Sequence, residues 1–463
     1  MAFVDSPSPP IASLDPLVAY LAEGGKPRAQ WRVGTEHEKF GFRRTTLAPI
    51  PYHGEDGIHA LLEGMRDQFG WTPTLEAGQP IALTRGEAAI TLEPAGQVEL
   101  SGAPLPTIHA AQGEINEHLH QLGAVCRSLG IAFMGAGFNP LHPREALPWM
   151  PKGRYAVMRA YLPTRGDMAL DMMTRTATVQ ANLDFDGEAD MVRKMRLALA
   201  LQPLVTALFA NSPFCEGRPA GFWSLRAEAW RRTDPDRCGW LPFAFQPGFG
   251  FARYAEYALD VPMFFVYRQG RYLPADGLPF RAFLEGRLPA LPGERPTLED
   301  WKLHLSTLFP EVRLKHYLEM RGADAGDSAT LCALPALWKG LFHDDQALEA
   351  VWELVADWSL EERERIWRQV PRLALETPIP GSRTFRELAL QVLDWSRAGL
   401  VNQGALNANG CDESVYLKPL FRTAESGLTP AHRLLQAYHE RWEQNVAPLF
   451  REKEFESFYA ECG

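Results

Sequence analysis

Little in this chain marks it for export, for a membrane or for nucleic acid. Its six cysteines, Cys126, Cys215, Cys238, Cys332, Cys411 and Cys462, are scattered through 463 residues with no CxxC pair and no zinc spacing. That excludes a disulfide scaffold or zinc ribbon and fits a reducing compartment. No Lys/Arg block interrupts a net charge of -10, so neither nucleic acid nor an anionic membrane is an expected partner. The N-terminus, MAFVDSPSPP, has no basic region leading into an apolar run; no signal peptide is expected, and the reading is cytoplasmic. The most apolar stretch, Leu197 to Ala210, is broken by Gln202 and Pro203 and suits buried helix better than a membrane span. There is no GxxxxGK(S/T), no GxSxG and no HExxH, and Gly135-Ala136-Gly137 lacks the third glycine of a dinucleotide fingerprint. If a nucleotide binds, something other than a glycine loop must hold its phosphates.

What is present begins with WRVGTEHEKFGF, Trp31 to Phe42. On a strand, alternate residues share a face, so Glu36 and Glu38 stand side by side. Two carboxylates ~7 Å apart repel by roughly 2 kcal/mol at an effective dielectric near ~20. Strand propensities span only about 1 kcal/mol and do not offset this. A multivalent cation between the two does, and solvation on an open face is the alternative. Pro80 to Ser101 reads as a β-meander in which Thr91, Glu93, Gln97 and Glu99 share a face. TATVQANLDF, Thr176 to Phe185, alternates an apolar face with one bearing Gln180 and Asn182. In EVRLKHYLEMRGAD a single strand puts Arg313, Lys315, Tyr317, Glu319 and Arg321 on one face.

Helical spacing is clear at Gly57 to Phe69, at Thr107 to Leu129 and at Glu188 to Asn211, the last bent near Pro203. His118 and His120 lie two apart on the second of these, face different ways and read as surface. Arg226 stands in a basic stretch, where Arg231 and Arg232 read as an exposed face. From about Leu334 the chain turns helical, with capping boxes at Ser359/Glu362 and Thr384/Glu387. At 463 residues the expectation is one large catalytic domain, with a sheet core over 31–333 and a helical C-terminal region over 334–450 packed on it. The polar strand faces together supply an acidic set, an amide set and a cationic set. Hard magnesium ions take oxygen ligands and leave positions for phosphate, and arginines beside them serve phosphoryl transfer. The residues alone therefore point to an ATP- and magnesium-dependent phosphotransferase or ligase of unknown acceptor.

Five stretches carry a more specific signal: GTEHEKFGF (34–42), ITLEPAGQVELSGAP (90–104), DMMTRTATVQANLDF (171–185), LALQPLVTALFANSPFCEG (199–217) and FPEVRLKHYLEMRGAD (309–324). In this order they resemble the plant-type glutamate–cysteine ligases. The resemblance implies an α/β (α+β) fold like that of glutamine synthetase, an antiparallel sheet forming a funnel with helices behind it. It implies L-glutamate, L-cysteine and ATP as substrates, two or three Mg2+ ions, and formation of γ-glutamylcysteine through a γ-glutamyl phosphate as the first step of glutathione synthesis. Carried over by residue, Glu36, Glu38, Glu93, Glu99 and Glu319 would ligate magnesium. Arg226 would touch the glutamate carboxylate or the transferring phosphate, Arg321 would neutralise charge on ATP, Arg313 and Lys315 would be catalytic with them, and Gln180, Asn182, Arg175, Met173 and Tyr257 would meet substrate. The aromatic-rich Phe243 to Tyr267 segment is a candidate wall for the cysteine pocket. Plant members join a cysteine early in the helix after ELSGAP to the one in LCALPA. Here the second is Cys332, but Gln112 takes the first place, so no such redox switch is expected. The lack of a transit-peptide pattern points to a bacterial member, a monomer or weak homodimer. The rival readings are a related ligase with another amine acceptor and a guanidino phosphotransferase.

Overall fold

The computed structural model describes residues 9–455; Cys462 lies outside them. Its centre is a nine-stranded sheet built from β1 (Val33–Arg43), β2 (Thr72–Glu76), β3 (Gln79–Arg85), β4 (Ala88–Leu92), β5 (Val98–Ser101), β6 (Ile131–Met134), β7 (Thr178–Leu183), β8 (Val312–Leu314) and β9 (Leu318–Asp324). The order is β8-β9-β7-β1-β5-β4-β3-β2, and β6 pairs with the C-terminal part of β1. Every pairing in it is antiparallel. The expected meander over 80–101 forms as β3, β4 and β5. Strand β2 was not anticipated, because Pro73 and a short run hid its alternation.

Register aligns the polar faces. Glu38 lies opposite Glu99, which lies opposite Thr91. Glu36 lies between Ser101 and Gln180. Glu319 lies between Asn182 and Arg313. Residues directly opposite on neighbouring strands point to the same side, so these rows make one continuous face.

The stretch from Arg313 to Arg321 is a hairpin, not the single strand expected. Arg313 pairs with Glu319 and Leu314 with Leu318, and the Lys315 N–H donates to the Tyr317 carbonyl at 2.9 Å in the turn. Strand β9 then carries a bulge between Met320 and Ala323, an irregularity that re-aims the side chains beyond it. Gly322 sits in it. A Cβ there would lie 2.3 Å from Gln202 Nε2 and 2.6 Å from Glu311 Oε2.

Helices cover the opposite face, and two short ones flank the polar face. We label here α1 (Ile58–Phe69), α2 (Ile108–Leu129), α3 (Gly153–Tyr161), α4 (Glu188–Leu208), α5 (Leu225–Arg231), α6 (Ser328–Phe342), α7 (Phe385–Gln403) and α8 (Lys418–Ser426). Helix α4 packs on β9, α6 on β7 and β1, and α2 on β1 and β6. Helix α4 is apolar nearly all round and buried along most of its length, as expected of a helix wedged between a sheet and further helices. The boundary expected at 333/334 falls inside α6, which starts at Ser328.

His118 is not on the surface; it is 2% exposed and meets His37 of β1 edge-on at 5.7 Å. Its position follows from helical period: His118 lies three residues after Ile115 and four before Leu122, both on the buried stripe of α2. His120 is exposed. Where α6 crosses α7, a Cβ on Gly340 would lie 2.2 Å from the Ser396 carbonyl oxygen, whereas one on Gly113 of α2 would meet nothing within 4 Å. Gly340→Ala should therefore cost about 1–3 kcal/mol or more, and Gly113→Ala should add about 0.5–1 kcal/mol. Urea unfolding of the two variants checks the pair; equal effects would refute the close crossing.

Candidate active site

The polar face of the sheet floors a cavity of about 370 Å³. Glu36, Glu38, Glu93 and Glu99 line one part of it, and Gln180, Arg313, Lys315 and Arg321 line another. Each glutamate on a strand is tied down by a neighbour. Asn182 Nδ2 donates to Glu36 Oε1 at 2.7 Å, the Thr178 N–H to Glu38 Oε2 at 3.0 Å, and Thr91 Oγ1 to Glu99 Oε2 at 2.5 Å.

Burial and crowding raise the acids. Glu36 is pushed up to about 7 by burial and then by the charges of Glu319 and Glu99. Glu38 is pushed well up by burial, Glu93 and Glu99. Burial also raises Glu99, and Glu93 adds to it, while hydrogen bonding from Thr91 and Glu36 partly offsets the rise. Glu319 is the exception. Burial opposes its charge, but Arg313, Lys315 and Arg321 together hold it well below the usual carboxylate range. Arg313 Nε reaches Glu319 Oε2 at 2.6 Å, Lys315 Nζ reaches Oε1 at 2.9 Å, and Arg321 Nη1 reaches Oε2 at 2.8 Å.

Arg321 is set with particular care. Its Nη1 also donates to Gln180 Oε1 at 2.8 Å, and its guanidinium lies 5.7 Å from the ring centres of both Trp230 and Phe309. Its backbone, at the bulge, donates to the Glu311 carbonyl at 3.1 Å and accepts Arg226 Nη2 at 2.7 Å. Arg226 itself is 3% exposed and lies behind Arg321, on a small chamber with Glu311 and Gly322 rather than on the main cavity.

The remaining expected residues divide. Met173 lines the cavity. Asn182 reaches it through Glu36. Arg175 is turned away, bonded to Asp171, Glu216 and Cys215 Sγ. Tyr257 is also elsewhere, packed on Phe243 and Tyr254, and no residue from Phe243 to Tyr267, all of them described, lines the cavity. The aromatic wall is instead Tyr155, Trp230, Tyr272 and Phe309. Sequence reasoning missed Lys152 and Arg154, two further cations on the rim beside Glu93. Lys152 Nζ donates to the Leu92 carbonyl at 2.7 Å. Their only signal was the spacing in PKGRY, where alternate residues at the start of α3 carry positive charge.

The donor set suits a hard divalent cation: it consists of oxygens, it is crowded enough to repel itself, and one oxygen of each strand glutamate is bonded to the sheet. Among the described residues no three acidic side chains are arranged as a formed metal centre, and Glu319 is engaged by its cations.

Comparison with solved structures identifies the scaffold. The fold is similar to that of a glutamate–cysteine ligase from Francisella tularensis solved with AMP (TM-score 0.53, 13% identity, 92% of this chain and 90% of that one). It is also similar to a bifunctional glutathione synthetase from Pasteurella multocida (TM-score 0.52, 14% identity, 95% of this chain and 53% of that one). Among curated proteins, the chain is 51% identical to the chloroplastic glutamate–cysteine ligase of Arabidopsis thaliana over 94% of its own length and 82% of that protein's. It is 50% identical to chloroplastic glutamate–cysteine ligase B of Oryza sativa subsp. japonica, over 94% and 86%. The protein is thus an enzyme of the ligase class. Its profile match over residues 32–452 makes the assignment specific: the chain belongs to glutamate–cysteine ligase family 2. One expectation is overturned. The relatives at about half identity are chloroplastic proteins, so the cytoplasmic reading is not supported.

A carboxyl that is easier to protonate in the folded protein than in the unfolded chain stabilises the fold at low pH. That contribution is lost as pH rises through the folded value, here about 7 for Glu36. Glu36→Gln imitates the protonated form. It should stabilise the unliganded protein by up to about 2 kcal/mol at about pH 8 and change little at about pH 5. Thermal melts at the two pH values test this, and a variant less stable than the parent at the higher pH would refute the repulsion.

Proposed function

We propose that the glutamate-floored cavity is the catalytic site of a glutamate–cysteine ligase, joining the γ-carboxylate of L-glutamate to the amine of L-cysteine with ATP as the energy source. The product is γ-glutamylcysteine, the first intermediate of glutathione biosynthesis. The observation that carries this reading is the meeting of four crowded glutamates and five cations, Arg313, Lys315, Arg321, Lys152 and Arg154, around one hollow.

Glu36, Glu38, Glu93 and Glu99 are the residues that would hold magnesium, with Glu319 available if its cations turn to phosphate. Bound there, the metal neutralises negative charge on the nucleotide phosphates. Arg321 is the residue best placed to meet the transferring phosphoryl group. Its side chain is fixed by Gln180 and Glu319 and its backbone by Arg226, so it loses little freedom on binding. Lys152 and Arg154 approach from the far rim and balance the remaining phosphate charge.

The glutamate γ-carboxylate attacks the γ-phosphorus of ATP, and the bond to the bridging oxygen of ADP breaks, giving an acyl phosphate. The cysteine amine then attacks the acyl carbon, loses a proton and expels phosphate. No enzyme nucleophile enters, in keeping with the absence of a GxSxG elbow. Tyr155, Trp230, Tyr272 and Phe309 supply walls that limit water, which would otherwise hydrolyse the acyl phosphate.

ADP formation should require glutamate, and product should require cysteine; glutamate-independent turnover or preference for another amine would overturn the proposal. Arg321→Gln should lower kcat by about 10²–10³-fold in a variant that still unfolds in one cooperative step, though at a lower temperature because Glu319 loses a partner; retained turnover would remove that side chain from the phosphate site.

A further inference from the structure

We infer that Thr178 and Thr206 are positioning residues for Arg321, holding it through the backbone of the bulge in β9 and never meeting substrate. This role rests on the reading above, in which Arg321 faces the transferring phosphoryl group.

The bulge is where the ladder is weakest. Met320 lies opposite Ala181 and Ala323 opposite Val179, so two residues, Arg321 and Gly322, stand against one, Gln180. Such a mismatch interrupts the ladder and bends the strand, and buried backbone at the break needs partners from elsewhere. Three successive carbonyls find them in side chains of three different elements. Arg226 Nη2 of α5 donates to the Arg321 carbonyl at 2.7 Å, Thr206 Oγ1 of α4 to the Gly322 carbonyl at 3.1 Å, and Thr178 Oγ1 of β7 to the Ala323 carbonyl at 2.7 Å. The Thr178 hydroxyl also lies 3.2 Å from the Arg321 carbonyl.

Both threonines are buried, and neither lines the hollow. Satisfying a buried carbonyl is by itself a stability role; two features go further. A threonine inside a helix can close its hydroxyl on a carbonyl about one turn back in the same helix, whereas Thr206 sends its hydroxyl across to the bulge. Thr178 holds both halves of the site: its backbone N–H donates to Glu38 Oε2 at 3.0 Å, and its hydroxyl holds the bulge. The small chamber behind Arg321, lined by Arg226, Glu311 and Gly322, gives the segment room to settle once a bond is lost. Arg321 then leaves the position that Gln180 and Glu319 fix for it.

Valine keeps the branched shape and removes the donor; serine keeps the donor. Thr178→Val and Thr206→Val should each lower kcat at least about 10-fold at saturating substrate, because a misplacement on the order of 1 Å is costly to the chemistry. Thr178→Ser and Thr206→Ser should stay within about threefold of the parent. Ser396→Ala is the control. It removes a buried hydroxyl that donates to the Leu337 carbonyl at 2.9 Å, between α7 and α6, neither of which lines the hollow. It should lower Tm about as much as the valine variants do and leave kcat within about twofold of the parent. With Arg321→Gln already in place, adding Thr206→Val should change kcat by less than about twofold, since the side chain it positions is gone. Amide exchange over 320–324, a readout independent of turnover, should quicken at least about 10-fold in both valine variants and not in the control. Unchanged kcat or unchanged exchange in the valine variants, or a full additional loss in the Arg321→Gln background, overturns the inference. A parent without glutamate-dependent ADP formation would sink the catalytic reading on its own, and exchange at the bulge would still decide whether the threonines hold it.

Discussion

Four glutamates on one partly desolvated sheet face repel one another, and the site depends on how that repulsion is contained. Separation by the sheet's own spacing leaves it intact, as the upward shifts of Glu36, Glu38 and Glu99 show. Containment comes from the hairpin β8–β9. It delivers Arg313, Lys315 and Arg321 around Glu319 and so places a dense positive cluster against the acidic rows. Remove the hairpin and the acidic face keeps only Lys152 and Arg154, on its rim, as counterweight. Keep it, and the hollow holds both signs of charge in an arrangement suited to phosphate and the cations that travel with it.

The reverse side of β1 is under a related constraint. Lys39 is 0% exposed, pushed down to about 7 by burial although Glu99 and Glu38 support its charge. It donates to the His37 carbonyl at 3.1 Å. His37 and His118 beside it are both held well below the ordinary histidine range, chiefly by burial, and so stay neutral. A strand with carboxylates on one side thus has a single ammonium group and two uncharged imidazoles on the other. Burying so polar a strand is costly, and its eleven residues bonded to three neighbouring strands help hold it in place.

Period-two alternation made much of this legible. Glu36/Glu38, Thr91/Glu99 and Gln180/Asn182 each showed their common face in the sequence, because a strand's geometry is local. Where geometry is set by distant contacts, the sequence was silent or misleading. Arg313 and Arg321 flank a turn and a bulge, so their convergence on Glu319 comes from cross-strand pairing that a linear reading cannot see. Lys152 and Arg154 arrive from a segment whose path is dictated by packing against β4. Arg175 and Tyr257 stand in promising company along the chain, yet their partners, Asp171 and Glu216 for one and Phe243 for the other, draw them elsewhere. His118 was the avoidable miss, since its place on the apolar stripe of α2 was already written in Ile115 and Leu122.

The acidic rows are complete by Ser101, whereas the cationic hairpin begins at Val312. Roughly two hundred residues of chain must therefore emerge from the ribosome between the two halves of one site. Until then β7 lacks its β9 neighbour and the carboxylates of the early strands have no Arg313, Lys315 or Arg321 opposite them. Closing the sheet across so long a separation belongs among the late and slow events of folding. A nascent chain arrested before the hairpin would carry Glu36, Glu38 and Glu99 without the three cations that later face them, and would have to solvate those carboxylates itself.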